Sequence, residues 1–221
     1  MSISVRASFK RTCEAAVVNP SRAVTFVPGA AGAGEFWSPV VQQLPKTWDI
    51  DVIDLPGLGA VPARAGIGSY DDLVEYVRAR TSSPSALVAQ SMGAYIALSL
   101  ALRYPDAVTH LVLVAATGGV DVSAHGGVDW RADYVSAFPA AESWARASMP
   151  DLADRLYEIR VPVLLIWAAR DVLSPINVGR MLEARLRRAS LVTFDSDDHW
   201  VARQFSADVA AAIQSFVERE P

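Results

Sequence analysis

Six short strand-like runs punctuate the chain, at Ala23–Val27, Asp49–Ile53, Ala86–Gln90, His110–Ala115, Val161–Ala168 and Leu191–Phe194. Longer amphipathic stretches separate most of them. That alternation constrains the fold more than any other feature. Short buried runs interleaved with helical segments mark an α/β chain with a mostly parallel central sheet flanked by helices. Pro28-Gly29 and Asp54-Leu55-Pro56-Gly57 supply turns after the first two runs. Helices are expected from Phe36 to before Pro45, from Ser69 through Arg80, over Met92–Arg103, over Pro175–Arg188 and over Val201–Glu218. The N-terminal stretches Ile3–Phe9 and Glu14–Val18 are expected to pair as an antiparallel edge.

Gly118–Glu158 breaks the alternation. It holds no clear strand but carries Trp130, Tyr134, Phe138, Trp144 and Met149. A structureless loop of that length is unusual, so a small helical insertion over the sheet is expected. The aromatics then either glue the insertion down or line a pocket.

With 221 residues the chain suits one domain, 1–221, and its 52% hydrophobic content excludes disorder. A net charge of −4 without a basic block argues against nucleic acid as a partner. The single cysteine, Cys13, excludes an internal disulfide and a Cys-based zinc site, and no metal is assigned. Residues Met1–Val18 show no hydrophobic signal core, and the strongest apolar stretch, Val161–Ala169, is half the length a bilayer requires. A soluble cytoplasmic protein with no membrane partner is the expectation.

The chemistry centres on Leu87-Val88-Ala89-Gln90-Ser91-Met92-Gly93-Ala94. A buried strand runs into Ser91 and a helix starts at once beyond it. A serine at so sharp a turn projects its hydroxyl above the sheet, beside free N–H groups of the helix N-terminus. The other reading is a serine that caps the helix. A serine nucleophile needs a base, and a carboxylate to orient that base. Of His110, His125 and His199, only His199 follows the last strand, at the sheet edge where catalytic loops gather. Asp195, Asp197 and Asp198 crowd it in sequence, as solvated or turn-forming groups. Asp171, after the run Val163–Trp167, is the better orienting acid, and the order Ser91, Asp171, His199 matches one serine-hydrolase architecture.

Pro28-Gly29-Ala30-Ala31-Gly32-Ala33-Gly34 follows a strand, and Asp54 lies beyond it, which invites comparison with a dinucleotide fingerprint. Its glycine order differs from that fingerprint, and no Lys-Ser/Thr follows. An oxyanion loop, with the N–H of Ala30 joining that of Met92, explains it together with Ser91, Asp171 and His199.

With these residues placed, the chain resembles the α/β-hydrolase family over nearly its whole length. The likeness rests on Val27-Pro28-Gly29-Ala30 with Phe36-Trp37, Asp54–Gly59, Gln90-Ser91-Met92-Gly93, His110–Leu113, Val161–Trp167 with Asp171, and His199. The resemblance implies Ser91 as nucleophile, Asp171 as acid, His199 as base, Ala30 and Met92 as the oxyanion hole, and a short cap at 118–158. Trp37, Trp130, Tyr134 and Trp144 are then candidates for the substrate pocket. Pro28 stands where the family often has His, and Ala89 and Ala168 where it often has Gly. The implied activity is an esterase-like serine hydrolase acting on a small to medium apolar substrate through an acyl-enzyme, without a cofactor. The same triad also serves C–C hydrolases, lyases and perhydrolases, and a binding protein of this fold is the non-enzymatic alternative.

Overall fold

Six parallel strands form one sheet in the computed structural model, which describes residues 22–82 and 84–220. The expected N-terminal pair Ile3–Phe9 and Glu14–Val18, and Cys13, lie outside these residues. The strands are β1 (Ala23–Val27), β2 (Asp49–Val52), β3 (Ser85–Gln90), β4 (Val108–Val114), β5 (Val163–Ala168) and β6 (Ala189–Phe194), in the spatial order β2-β1-β3-β4-β5-β6. All six residues of β3 and of β5 are buried, because helices cover both faces of the sheet centre. Asp49–Ile53, expected as a buried strand, is instead half-exposed. As β2 it is an outer strand among the described residues, and Asp49 and Val52 face solvent.

Among the described residues seven α-helices accompany the strands: α1 (Ser38–Val41), α2 (Tyr70–Arg78), α3 (Gly93–Arg103), α4 (Arg131–Ala137), α5 (Ile176–Arg185), α6 (Val201–Gln204) and α7 (Ser206–Val217). One apolar cluster joins α2, α3, α5 and the 118–158 insertion to the sheet, through Leu73, Ile96, Leu98, Leu113 and Leu182. A second joins α1, α6 and α7 to the other face, through Phe26, Val40, Val112, Val201 and Ile213. Helix α2 starts where its sequence says it should. Ser69 Oγ accepts the Asp72 N–H at 3.1 Å, while the Asp72 carboxylate accepts the Gly68 N–H at 3.0 Å. The expected helix over Val201–Glu218 breaks at Phe205, which leaves helical dihedrals and stacks its ring on Phe194 at 4.8 Å.

The insertion is helical, as expected. It consists of α4 and 3-10 turns at Ser123–His125, Ser143–Arg146 and Ala153–Glu158. No helix among the described residues is long and apolar enough to cross a membrane.

The strand ends explain where function can sit. Gln90 pairs with Val114, Val27 with Ala89 and Ala168 with Phe194, so the loops after β1, β3, β4, β5 and β6 leave the sheet at one edge. The chain passes from β1 out to β2 and then back across to β3. Strands β1 and β3 therefore flank the topological switch point, the usual ligand crevice of a doubly wound sheet.

His110 sits at the opposite end of the sheet, near the start of β4. It is 1% exposed, its Nδ1 meets Thr109 Oγ1 at 3.1 Å, and its ring packs edge-on to Phe216. Burial, then the Arg22 and Arg188 guanidinium groups, hold its pKa below the ordinary 6.5. The unfolded chain therefore takes up this proton first. The stability tied to neutral His110 is complete above about pH 6.5 and is lost as pH falls toward the folded-state value. We expect His110→Leu to show a smaller loss of Tm between pH 7 and pH 5 than the wild type. Parallel Tm–pH curves for the two proteins would remove His110 from the acid sensitivity.

Candidate active site

Ser91 follows β3 directly and has φ of 52°, in the left-handed region that a residue with a Cβ avoids. Its N–H donates to the Val114 carbonyl at 2.9 Å, and its carbonyl accepts the N–H of Ala94 at 3.1 Å as α3 begins. This turn works only if α3 passes close over the end of β1. A Cβ on Gly93 would overlap the carbonyl oxygen of Pro28 and come within 3.1 Å of that of Val27. A glycine two residues after the serine is thus a steric requirement. Two residues before it, Ala89 is fully buried inside the sheet and its methyl is accommodated there.

The Ser91 hydroxyl does not cap α3, whose first turn has no side-chain cap. It meets His199 Nε2 at 2.9 Å, and His199 Nδ1 meets Asp171 Oδ2 at 2.7 Å. The Asp171 side chain is fully buried and that of His199 is 12% exposed. A buried carboxylate needs donors on both oxygens. Oδ1 receives them from the N–H groups of Leu173 at 2.8 Å and Ser174 at 3.1 Å, so the loop after β5 is wound around its own acid. With a carboxylate on Nδ1, the assigned tautomer carries its proton there and presents a lone pair at Nε2 to the serine.

The neighbouring aspartates take other work. Asp195 pairs with Arg170, and Asp198 Oδ1 accepts the Trp200 N–H at 2.8 Å, fixing the turn that presents His199. His110 lies at the far end of the sheet, and His125 lies in the first 3-10 turn of the insertion.

The glycine-rich segment folds over the end of β1. Gly29 accepts the Gly32 N–H at 3.0 Å, and Asp54 Oδ1 accepts the Gly34 N–H at 2.7 Å. Asp54, the residue that invited a ribose-binding reading, is therefore a brace for this loop. Gly29 lies against Ser91, since a Cβ there would stand 3.1 Å from the serine Cβ. Among the described residues the N–H groups of Ala30 and Met92 donate to no protein acceptor.

Ser91 and His199 open into a cleft of about 250 Å³, walled chiefly by Pro28, Ala30, Phe36, Tyr134, Phe138 and Leu173. Trp130 and Tyr134, both expected at the pocket, line it. Trp37 and Trp144 do not. Trp37 is fully buried in the cluster on the opposite face of the sheet, against Phe26 at 5.2 Å and Phe36 at 5.0 Å. Trp144 packs edge-on against Tyr70 at 5.5 Å and over Gly57, away from the cleft. Two tyrosines pin the insertion to the body. Tyr134 Oη accepts the Gly59 N–H at 2.7 Å, and Tyr70 O–H donates to the Ala145 carbonyl at 2.5 Å. Burial raises the pKa of both phenols, so both stay protonated. Trp200 and Thr117 also line the cleft, and sequence reasoning missed both. Each follows a strand at the catalytic edge, the one signal that marks them. A larger cavity of about 350 Å³ shares Thr117 and Trp130 with the cleft, but Ser91 and His199 do not line it.

Comparison with known proteins agrees with this architecture. A family model described as alpha/beta hydrolase fold matches residues 22–158, which is more than half of the chain and ends before Asp171 and His199. A pimeloyl-[acyl-carrier protein] methyl ester esterase of Neisseria meningitidis is 26% identical, over 81% of this chain and 71% of its own. A 2-hydroxy-6-oxononadienedioate/2-hydroxy-6-oxononatrienedioate hydrolase of Burkholderia vietnamiensis is 25% identical, over 87% of this chain and 84% of its own. Among solved structures, a hydrolase from Pseudomonas aeruginosa superimposes with a TM-score of 0.74 at 19% identity, covering 89% of this chain and 90% of that one. With the matched region, the sheet order and these relatives in agreement, the chain belongs to the α/β-hydrolase family.

Proposed function

We propose that this hydrolase is a serine esterase for small to medium apolar acyl groups. The observation that carries the reading is the hydrogen-bonded chain Ser91–His199–Asp171 at the mouth of an apolar cleft. Ser91 Oγ attacks the ester carbonyl carbon as its proton passes to His199 Nε2. The negative charge that forms on the carbonyl oxygen is met by the N–H groups of Ala30 and Met92, at the positive end of α3. His199 then gives its proton to the leaving alcohol. Water, activated by the same nitrogen, hydrolyses the acyl-enzyme. Asp171 keeps the imidazole in the required tautomer and stabilises its cation.

The cleft supports a substrate class. Its volume lies below the roughly 300–1,000 Å³ common for drug-sized ligands, which favours a modest acyl group. Among the described residues that line it, Asp133, His199 and the Tyr134 phenol are ionisable, and none is Lys or Arg. The relatives named for dioate hydrolysis act on substrates with two carboxylates, and a cleft without a cation is a poor match for those. Ester cleavage, the activity in the names of the methyl ester esterases, fits better.

A panel of p-nitrophenyl esters of graded acyl length tests the proposal, with Ser91→Ala as the blank. Turnover is expected to peak at short to medium apolar acyl groups, and Ser91→Ala is expected to lose at least about 10³-fold in kcat. Retained turnover in Ser91→Ala would refute the mechanism.

The acid has its own test. Asp171→Asn is expected to lower kcat by roughly 10⁴, the size of the loss when an amide traps the wrong tautomer of a catalytic histidine in a serine protease. Asp197→Asn and Asp198→Asn should cost far less. A crippling loss in either of those would move the orienting carboxylate into the His199 loop.

The two insertion tryptophans should separate cleanly. Trp130→Ala is expected to raise KM for butyrate esters more than for acetate esters. Trp144→Ala is expected to lower Tm and leave that ratio unchanged. The reverse pattern, read from KM values and thermal melts, would mean that the pocket wall has been misplaced.

A further inference from the structure

Ser91 Oγ has a second partner besides His199. The hydroxyl of Thr117 lies 3.0 Å from it, and among the described residues the Thr117 hydroxyl has no other partner. We propose that Thr117 is a catalytic residue, a hydroxyl donor to the nucleophile oxygen that assists its departure when the acyl-enzyme breaks down. The inference rests on the serine-esterase reading and extends it to a group outside the triad.

The donor direction follows from proton counting. Ser91 Oγ carries one hydrogen, and the lone pair of His199 Nε2 takes it. What remains on Oγ is acceptor capacity, so the Thr117 O–H donates. During deacylation the attacking water gives a proton to His199 and its oxygen bonds to the acyl carbon. The C–Oγ bond then breaks, its electron pair moves to Oγ, and His199 returns the proton there. Thr117 keeps its own proton throughout and donates a hydrogen bond to the oxygen as charge builds on it. A hydrogen bond to a developing anion is stronger than one to an ester oxygen, so this contact favours the step in which Oγ leaves.

The chain is built to hold this contact. Ser91 and Ala115 are the non-glycine residues with positive φ among the described residues, at 52° and 44°, and they end the neighbouring strands β3 and β4. Each turns its strand sharply, and the two turns are tied together. The N–H groups of Thr117 and Gly118 both donate to the Ser91 carbonyl, at 3.1 and 3.3 Å. Gly118 permits that approach, because a Cβ there would stand 2.9 Å from the Tyr95 nitrogen in the first turn of α3. From the other side, Ser174 Oγ donates to the Ala116 carbonyl at 2.6 Å, so the loop that holds Asp171 also holds Thr117. Left-handed strain at a non-glycine residue is retained where the surroundings impose it, and it concentrates at functional sites. Here it brings two hydroxyls together at the mouth of the cleft.

Pre-steady-state hydrolysis of p-nitrophenyl butyrate tests the assignment, with Thr117→Val, which keeps shape and removes the hydroxyl, and Thr117→Ser, which keeps the hydroxyl. Thr117→Val is expected to lower kcat roughly tenfold, the scale for one hydrogen bond to a charged oxygen. Its acyl-enzyme should accumulate, so the p-nitrophenol burst should approach one per active site while the burst rate falls less than kcat. Thr117→Ser should restore the wild-type kcat to within about threefold, a rescue that packing alone would not give. Thr117→Ala repeats the measurement if Thr117→Val does not fold. Wild-type deacylation in the hydroxyl-free variant, or a Thr117→Ser as slow as it, overturns the proposal and leaves the esterase reading standing. A wild-type protein without Ser91-dependent turnover overturns both.

Discussion

The site depends on a close approach between the first turn of α3 and the end of β1. Gly93 lies against the Pro28 carbonyl so tightly that no Cβ fits, and Ser91 is held at positive φ to make that approach possible. Such a backbone costs about 1–2 kcal/mol at a residue other than glycine. Two buried strands and a helix that is apolar from Ala94 to Leu98 offset it. The same region sets Gly29 against the serine, where a Cβ would stand 3.1 Å from the Ser91 Cβ. The serine turn, the glycine-rich loop and the N-terminus of α3 are thus gathered by one close approach.

The insertion follows a different logic. Its regular structure is slight, one short helix and three 3-10 turns, and its place depends on specific bonds to the body. Tyr134 and Tyr70 bridge to Gly59 and Ala145, and the Glu142 N–H donates to the Gly57 carbonyl at 2.9 Å. Tyr134 does two things at once, since its ring lines the cleft while its oxygen anchors the insertion. The shape of the cleft and the attachment of the insertion are thereby coupled through one side chain.

The elements that were legible in the sequence are those whose cause is local. Periodicity and turn chemistry located six strands and the insertion, and Ser69 and Asp72 announced α2. Ser91, Asp171 and His199 were legible because each follows a strand that a parallel sheet must end at the same edge. What stayed hidden depends on tertiary neighbours. Trp37 and Trp144 are large aromatics near the right segments, and only packing shows that both face away from the cleft. Thr117 carries no motif, and its contact with Ser91 exists because Ala115 turns β4 toward it. The exposure of β2 and the break at Phe205 likewise follow from position in the sheet and from stacking on Phe194, which no local pattern encodes.

The central claim is that Ser91 is a nucleophile primed by His199 within reach of an oxyanion hole. An organophosphonate probe tests it most directly, because its tetrahedral adduct resembles the species that the Ala30 and Met92 N–H groups would stabilise. Intact mass should show one adduct per chain at neutral pH, and peptide mapping should place it on Ser91. A label on any other residue, or no label on the folded protein at that pH, would contradict the account.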